Sequence, residues 1–239
     1  TAGRYANRIK NGQFQLGEKS IQLKRNDNGH HLHGGPKGFS SQKWSVKKIS
    51  DSKIIFNLRS PDKDQGYPGD IDVKTIYEIN KDNELSIYFK CIAKEDTIVN
   101  LTHHSYFNLS GENSDNILNH LLSINAEYFT EINSDLIPTG KIVPVNDTPL
   151  DFRKPIKIGK RIANNFKQLG YAQGYDHNFV INKVNDQKLN LAAILYSKSS
   201  GLEMSVKTNL PGLQFYSGNF LDGNHNDTYG KPLSKHRGL

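Results

Sequence analysis

Apolar and polar residues alternate over much of the chain from Trp44 onward. Leu85, Ile87, Phe89 and Cys91 alternate with Ser86, Tyr88 and Lys90. Met204, Val206, Thr208 and Leu210 alternate with Glu203, Ser205, Lys207 and Asn209. Such alternation is the pattern of a strand with one buried face, because successive side chains leave a strand on opposite sides. Residues 75–79 and 189–196 are strand-like by their β-branched and aromatic content. Turn-forming clusters separate these runs at residues 62–66, 80–83 and Asn185-Asp186-Gln187. A hairpin is expected over residues 14–23, turning at Leu16-Gly17-Glu18-Lys19, with a polar loop over residues 26–31. One segment fits a helix. Ile158, Ile162, Phe166 and Leu169 recur at intervals of four, four and three, and Gly170 follows as a stop signal. The expected class is all-β, a large antiparallel β-sandwich, in one domain over residues 1–239.

Composition narrows the classes of function. Hydrophobic residues make up 35% and charged residues 23%, which supports a folded core and argues against wholesale disorder. No apolar run reaches the length of a membrane span, and the opening Thr1-Ala2-Gly3-Arg4 shows no signal peptide. The single Cys91 excludes an internal disulfide framework and suits a reducing compartment, so a cytoplasmic location is expected. The net charge of +7 raises the question of a polyanion partner. The lysines are scattered singly and form no basic run of five, so the charge reads as a solvated surface and no nucleic-acid partner is expected. Met204 is the only methionine, so residue 1 is not a translation start and the chain reads as processed or truncated.

Four polar stretches carry candidate chemistry. In Asn100 onward, N-L-T-H-H-S-Y-F-N-L-S-G sets His103 and His104 side by side in an apolar context. An imidazole titrates close to neutral pH and can give or take a proton there, although paired histidines are as readily structural. In G-R-Y-A-N-R-I, a strand would put Arg4, Ala6 and Arg8 on one face, where surface arginines are the ordinary reading. Asn7 and Arg8 are planar multi-donor groups suited to a polyhydroxylated ligand. His33 precedes Gly34-Gly35-Pro36-Lys37-Gly38, a turn cluster that lacks the spacing of a phosphate-binding loop. In G-Y-D-H-N-F-V, the Asp176 carboxylate can accept two hydroxyls at once, or simply form a turn into a strand. Gln214 sits in an alternating stretch and either lines a pocket or faces solvent. A Ser-His-Asp triad through Ser105, His104 and Asp176 is rejected, because no G-x-S-x-G elbow surrounds any serine. His33, His103, His104, His120 and His177 do not fall at metal-ligand spacing, so no metal is expected.

Taken together, the chain resembles the aldose 1-epimerase (galactose mutarotase) family. The likeness rests on six motifs in order: G-R-Y-A-N-R-I, L-H-G-G-P-K-G-F, N-L-T-x-H-S-Y-F-N-L-S-G, T-P-L-D-F-R, G-Y-D-H-N-F-V and P-G-L-Q-F-Y-S-G-N-F-L-D-G. It implies a mutarotase-like β-sandwich with an open sugar groove. It implies interconversion of the α and β anomers of free aldohexoses by acid–base ring opening and closure, with no cofactor. By the resemblance His104 is the general acid, and Asn7, Arg8, His33, Asp176 and Gln214 bind the sugar. His103 stands where the family commonly has asparagine, and as a strand neighbour it is expected to face away from His104. The family's base is a glutamate shortly after a K-H-x-G-F segment. Here Lys235-His236-Arg237-Gly238-Leu239 matches that segment and the sequence ends. The resemblance therefore implies an interior segment lacking the first strands and the base, poorly active by itself, and a monomer or weak homodimer. A hexose-6-phosphate epimerase and a non-catalytic sugar-binding module on the same fold are the alternatives.

Overall fold

The computed structural model describes residues 1–239 except Glu112, Asn113, Asp115, Asp186 and Gln187. The turn expected at Asn185-Asp186-Gln187 lies partly outside the described residues. Two compact units divide the chain, Thr1–Ser105 and Tyr106–Leu239.

In the first unit the strands are β1 (Arg8–Ile9), β2 (Gln13–Leu16), β3 (Lys19–Gln22), β4 (His31–Leu32), β5 (Ser45–Ser50), β6 (Lys53–Ser60), β7 (Ile71–Ile79) and β8 (Leu85–Ala93). The hairpin expected over residues 14–23 is β2–β3, with Gly17 at φ 58 supplying the left-handed turn position. Strands β5, β6, β7 and β8 follow one another in a single antiparallel sheet. On one face, Leu58, Ile71 and Val73 join Phe39 and Leu101 in a core, with Phe89, Cys91 and Trp44 packed against it. The alternation read from residues 85–91 is therefore real, but only half of it is covered. At the far end of that same face Val46, Ile79 and Leu85 are about half exposed.

Arg4 departs from its expected place. It is 1% exposed and lies outside any strand. Its guanidinium donates to the carbonyls of Pro68 and Gly69 at 2.8 Å each, and to Ser60 Oγ at 2.6 Å. Ser60 Oγ in turn donates to Asp64 at 2.6 Å, and the guanidinium lies 5.3 Å from the Tyr67 ring centroid. A planar fork of five donors can satisfy several carbonyls of one loop at once. Burial lowers the Arg4 pKa, and the charges of Asp64, Tyr67, Asp62 and Asp70 oppose that cost. Arg4→Met leaves those acceptors dry and unpaired, and should lower stability by about 2–3 kcal/mol, read from urea unfolding. A change within a few tenths of a kcal/mol would mean that water replaces the guanidinium without loss.

In the second unit the strands are β9 (Leu121–Ile124), β10 (Ala126–Ile132), β11 (Pro138–Pro144), β12 (Ile156–Lys157), β13 (Asp176–Ile181), β14 (Asn190–Tyr196), β15 (Glu203–Thr208) and β16 (Gly212–Tyr216). One sheet has the order β11-β10-β13-β16 and the other β12-β9-β14-β15. Phe129, Phe179 and Phe215 from the first sheet share a core with Leu122, Ile124 and Leu195 from the second. This is the sandwich that alternation predicts. Phe152 and Tyr175 fill its centre, with ring centroids 5.0 Å apart, and Tyr175 stacks on Phe215 at 5.2 Å.

The helix is shorter than expected. It is α1, Lys167–Ala172, preceded by a separate 3-10 turn, Ile158–Lys160. Ile158, Ile162, Phe166 and Leu169 all reach the core, but Phe166 is extended (φ −139, ψ 125), so no single helix carries them. Gly170 lies inside α1 and stops nothing. The stop is Gln173 at φ 56, followed by Gly174 at φ 143. A Cβ on Gly174 would fall 2.2 Å from Asn219 Oδ1, so glycine is required there by space as well as by conformation.

Candidate functional site

The turn that holds His33 is built around close backbone approach. His33 (φ 52) and Gly34 (φ 88) are both left-handed. A Cβ on Gly34 would lie 1.7 Å from the carbonyl oxygen of Gly3. That proximity brings the turn against the segment that carries Asn7 and Arg8. The bonding is reciprocal: His33 N–H donates to the Asn7 carbonyl at 3.2 Å, and Asn7 N–H donates to His33 Nδ1 at 3.1 Å. With Nδ1 accepting, a neutral His33 carries its proton on Nε2 and presents a donor there. Burial, the charge of His104 and the charge of Arg8 lower the His33 pKa to about 4, against a small opposing effect of Asp27. His33 is therefore a neutral donor at pH 7.

Asn7 Oδ1 accepts the Arg8 N–H at 2.9 Å, which leaves the amide hydrogens to meet a ligand. Arg8 Nε donates to Asp27 at 2.7 Å, and both side chains are largely buried. Asp27 thus orients the guanidinium through one edge and leaves the other nitrogens available. Sequence reading missed Asp27, which sits in a polar loop with nothing to distinguish it from its neighbours.

The His33 and His104 rings meet edge to face at 5.0 Å. They line a cavity of about 390 Å³ together with Ser40, Tyr77, His103 and Ser105. That volume lies in the range of small-ligand pockets. His103 does not face away from His104. The expectation assumed a strand, but residues 103–107 have no regular structure, so alternation does not apply and both imidazoles reach the cavity. His103 Nε2 is 2.9 Å from Ser105 Oγ, and its ring meets Tyr77 at 5.8 Å. Burial first, and the charge of His104 among lesser causes, lower the His103 pKa.

The second unit holds Asp176 and Gln214. Strands β13 and β16 pair antiparallel, with Asp176 opposite Tyr216 and Asn178 opposite Gln214. Gln214 Nε2 donates to Asp176 Oδ1 at 2.7 Å. Gln214 is exposed and Asp176 partly so. His177 points the other way, into the core beside Phe129, as alternation along β13 requires. Its Nδ1 accepts the Asp176 N–H at 3.1 Å, and its Nε2 is buried without a partner. Burial lowers the His177 pKa to about 4. The unfolded chain protonates His177 near 6.5, so this contribution to stability is complete above that pH and is lost as pH falls toward 4. The urea midpoint should fall over pH 6.5 to 4 by the equivalent of about 3 kcal/mol for this group, and the slope should shrink by about one proton in His177→Phe. An unchanged slope would remove His177 from the acid response.

Other motif residues are architectural. His31 is wholly buried in β4, not part of a polar loop, with Nδ1–H donating to the Lys24 carbonyl and Nε2 accepting from Tyr67 O–H at 2.7 Å. His120 is 1% exposed and accepts the Leu109 N–H at 3.0 Å. Residues 148–153 form a turn: Thr148 Oγ1 donates to the Val145 carbonyl, Leu150 and Phe152 enter the core, and Arg153 grips Asp151 through two nitrogens. Among the described residues no group of three or more His, Cys, Asp or Glu is placed to hold a metal.

Residues 1–238 match the aldose 1-epimerase family. A galactose mutarotase of Sus scrofa is 40% identical over 237 residues, covering 99% of this chain and 67% of that protein. An aldose 1-epimerase of Haemophilus influenzae is 37% identical over 226 residues, 93% of this chain and 64% of its own. The crystal structure of an aldose epimerase homologue from C. elegans superposes with a TM-score of 0.87 at 30% identity, over 100% of this chain and 70% of that one. The chain belongs to the aldose 1-epimerase family, a class of isomerases.

Proposed function

We propose that this chain interconverts the α and β anomers of free aldohexoses such as galactose and glucose, with His104 as the general acid. The observation that carries the reading is the pair of imidazoles, His33 and His104, lining one cavity in a family member. Anomer exchange needs a base to take the C1 hydroxyl proton and an acid to protonate the ring oxygen, after which the aldehyde turns and recloses. His104 is the exposed member of the pair, so a sugar ring oxygen can reach it from solvent. His33 is fixed by Asn7 as a neutral Nε2–H donor and steadies the oxygen that His104 protonates. Asn7 and Arg8 offer donors to hydroxyls. The Asp176 carboxylate accepts hydrogen bonds from hydroxyls, with Gln214 Nε2–H donating to its Oδ1. These residues account for the acid side and for binding.

The reading includes no cofactor, no nucleic-acid or membrane partner, a cytoplasmic location and a monomer or weak homodimer. Scattered lysines and a lone half-buried Cys91 support it. Among the described residues no helix is long and apolar enough to cross a membrane.

Polarimetry on freshly dissolved α-D-galactose tests the reading. Relaxation well above the buffer rate supports it. Galactose binding with relaxation at the buffer rate replaces it with a sugar-binding module. Competition by glucose 6-phosphate but not galactose replaces it with a sugar-phosphate epimerase.

A further inference from the structure

Beside the Asp176–Gln214 pair lies a set of aromatic rings that the acid–base reading does not use. Asp176, Asn178, Gln214 and Tyr216 leave β13 and β16 on one face, opposite His177, Phe179 and Phe215 in the core. Tyr216 faces Asp176 directly across the two strands. The Tyr106 ring meets Tyr216 edge-on at 6.0 Å, and Phe220 stacks on Tyr216 at 6.2 Å with 23° between the planes. Phe220 N–H donates to the Tyr216 hydroxyl at 2.8 Å, which fixes the loop after β16 so that the Phe220 ring stays beside the strand. Tyr106 is 45% and Phe220 48% exposed. The Asp176 carboxylate reaches this group electrostatically: after burial, its charge is what raises the Tyr106 phenol pKa.

Two half-exposed aromatic rings beside a carboxylate and an amide match the two sides of a pyranose. Its rim carries hydroxyls, which need acceptors and donors. Its face carries C–H bonds made slightly positive by the attached oxygens, which suit the negative face of an aromatic ring. We propose that Tyr106, Tyr216 and Phe220 form a stacking wall for the C–H face of the pyranose whose hydroxyls Asp176 and Gln214 hold. This rests on the sugar substrate of the reading above and adds three binding residues to it. Phe220 is the ring that presents the most surface, and Tyr216 is its support.

The test uses methyl β-D-galactopyranoside, whose anomeric centre is locked, so that binding is read without turnover. Saturation-transfer NMR on the full chain should show the strongest transfer to ring C–H protons of one face. Phe220→Ala should raise the dissociation constant about tenfold, as expected for loss of one base-like stacking contact, and should even out the transfer pattern. Phe220→Tyr, which keeps the ring, should restore both and shows that the alanine effect is not misfolding. Equal dissociation constants and patterns for the wild type and Phe220→Ala overturn the wall, as does absence of binding by the wild type. A one-faced pattern that depends on Phe220 in a protein without polarimetric activity supports the wall and sinks only the epimerase reading.

Discussion

His104→Ala should slow the polarimetric relaxation of galactose by about 10²- to 10⁴-fold, the span that a positioned general acid supplies. His104 is exposed and lies in a segment without regular structure, so its removal should leave stability within about 0.5 kcal/mol. Activity and fold are therefore separable in this variant, and unchanged circular dichroism beside lost turnover is the expected pair of results. His33→Ala should behave differently. It removes the acceptor of the Asn7 N–H and one wall of the cavity, so binding and turnover should fall together. Full turnover in His104→Ala would move the acid elsewhere, and His33, held neutral with its proton on Nε2, would be the next candidate.

Gly34→Ala should cost more than about 4 kcal/mol, at the severe end for a single substitution. Two effects add. At φ 88 a side chain is strained by itself, and the new methyl would sit 1.7 Å from the Gly3 carbonyl oxygen and 2.3 Å from its carbon. Neither of these is the end of a flexible side chain, so backbone must move. The movement falls on the contacts between His33 and Asn7. Urea unfolding should show the loss, and any folded residue of the variant should bind galactose poorly. A stability within about 1 kcal/mol of the wild type would show that the turn relaxes freely, contrary to the packing described.

The strands of the fold were legible because burial on one face writes itself as alternation. β7, β8, β14, β15 and the β2–β3 hairpin fall where the pattern and the turn residues put them. The helix was misread because apolar spacing records only which residues reach a core, not the backbone that takes them there. Ile158 gets there through a 3-10 turn and Phe166 through an extended one, and Gly159 is pressed against Leu118 forty-odd residues earlier in the chain. Arg4 and Asp27 were illegible for the same reason. The carbonyls that bury Arg4 come from residues 60–69, and the arginine that uses Asp27 lies nineteen residues away. His103 was misplaced because a strand rule was applied where there is no strand. His177 was left unplaced, although D-H-N-F-V-I sets it in phase with Phe179 and Ile181, and that phase is what buries it.

The half-covered sheet of the first unit has a colloidal consequence. β5 and β8 stand at the two ends of that sheet's strand order, and Val46 on β5 and Leu85 on β8 show apolar surface there, with Ile79 on β7 opposite Leu85. An apolar patch bordered by an edge strand is a template for pairing with another copy of itself. Lys47 and Lys48 on β5 and Lys90 on β8 set charge along those edges, and the chain as a whole carries +7. Mutual repulsion is what keeps such edges apart. It is a long-range force that dissolved ions weaken, whereas the attraction between bare apolar faces persists. The expected result is that light scattering by this chain is lowest at low ionic strength and rises as salt is added.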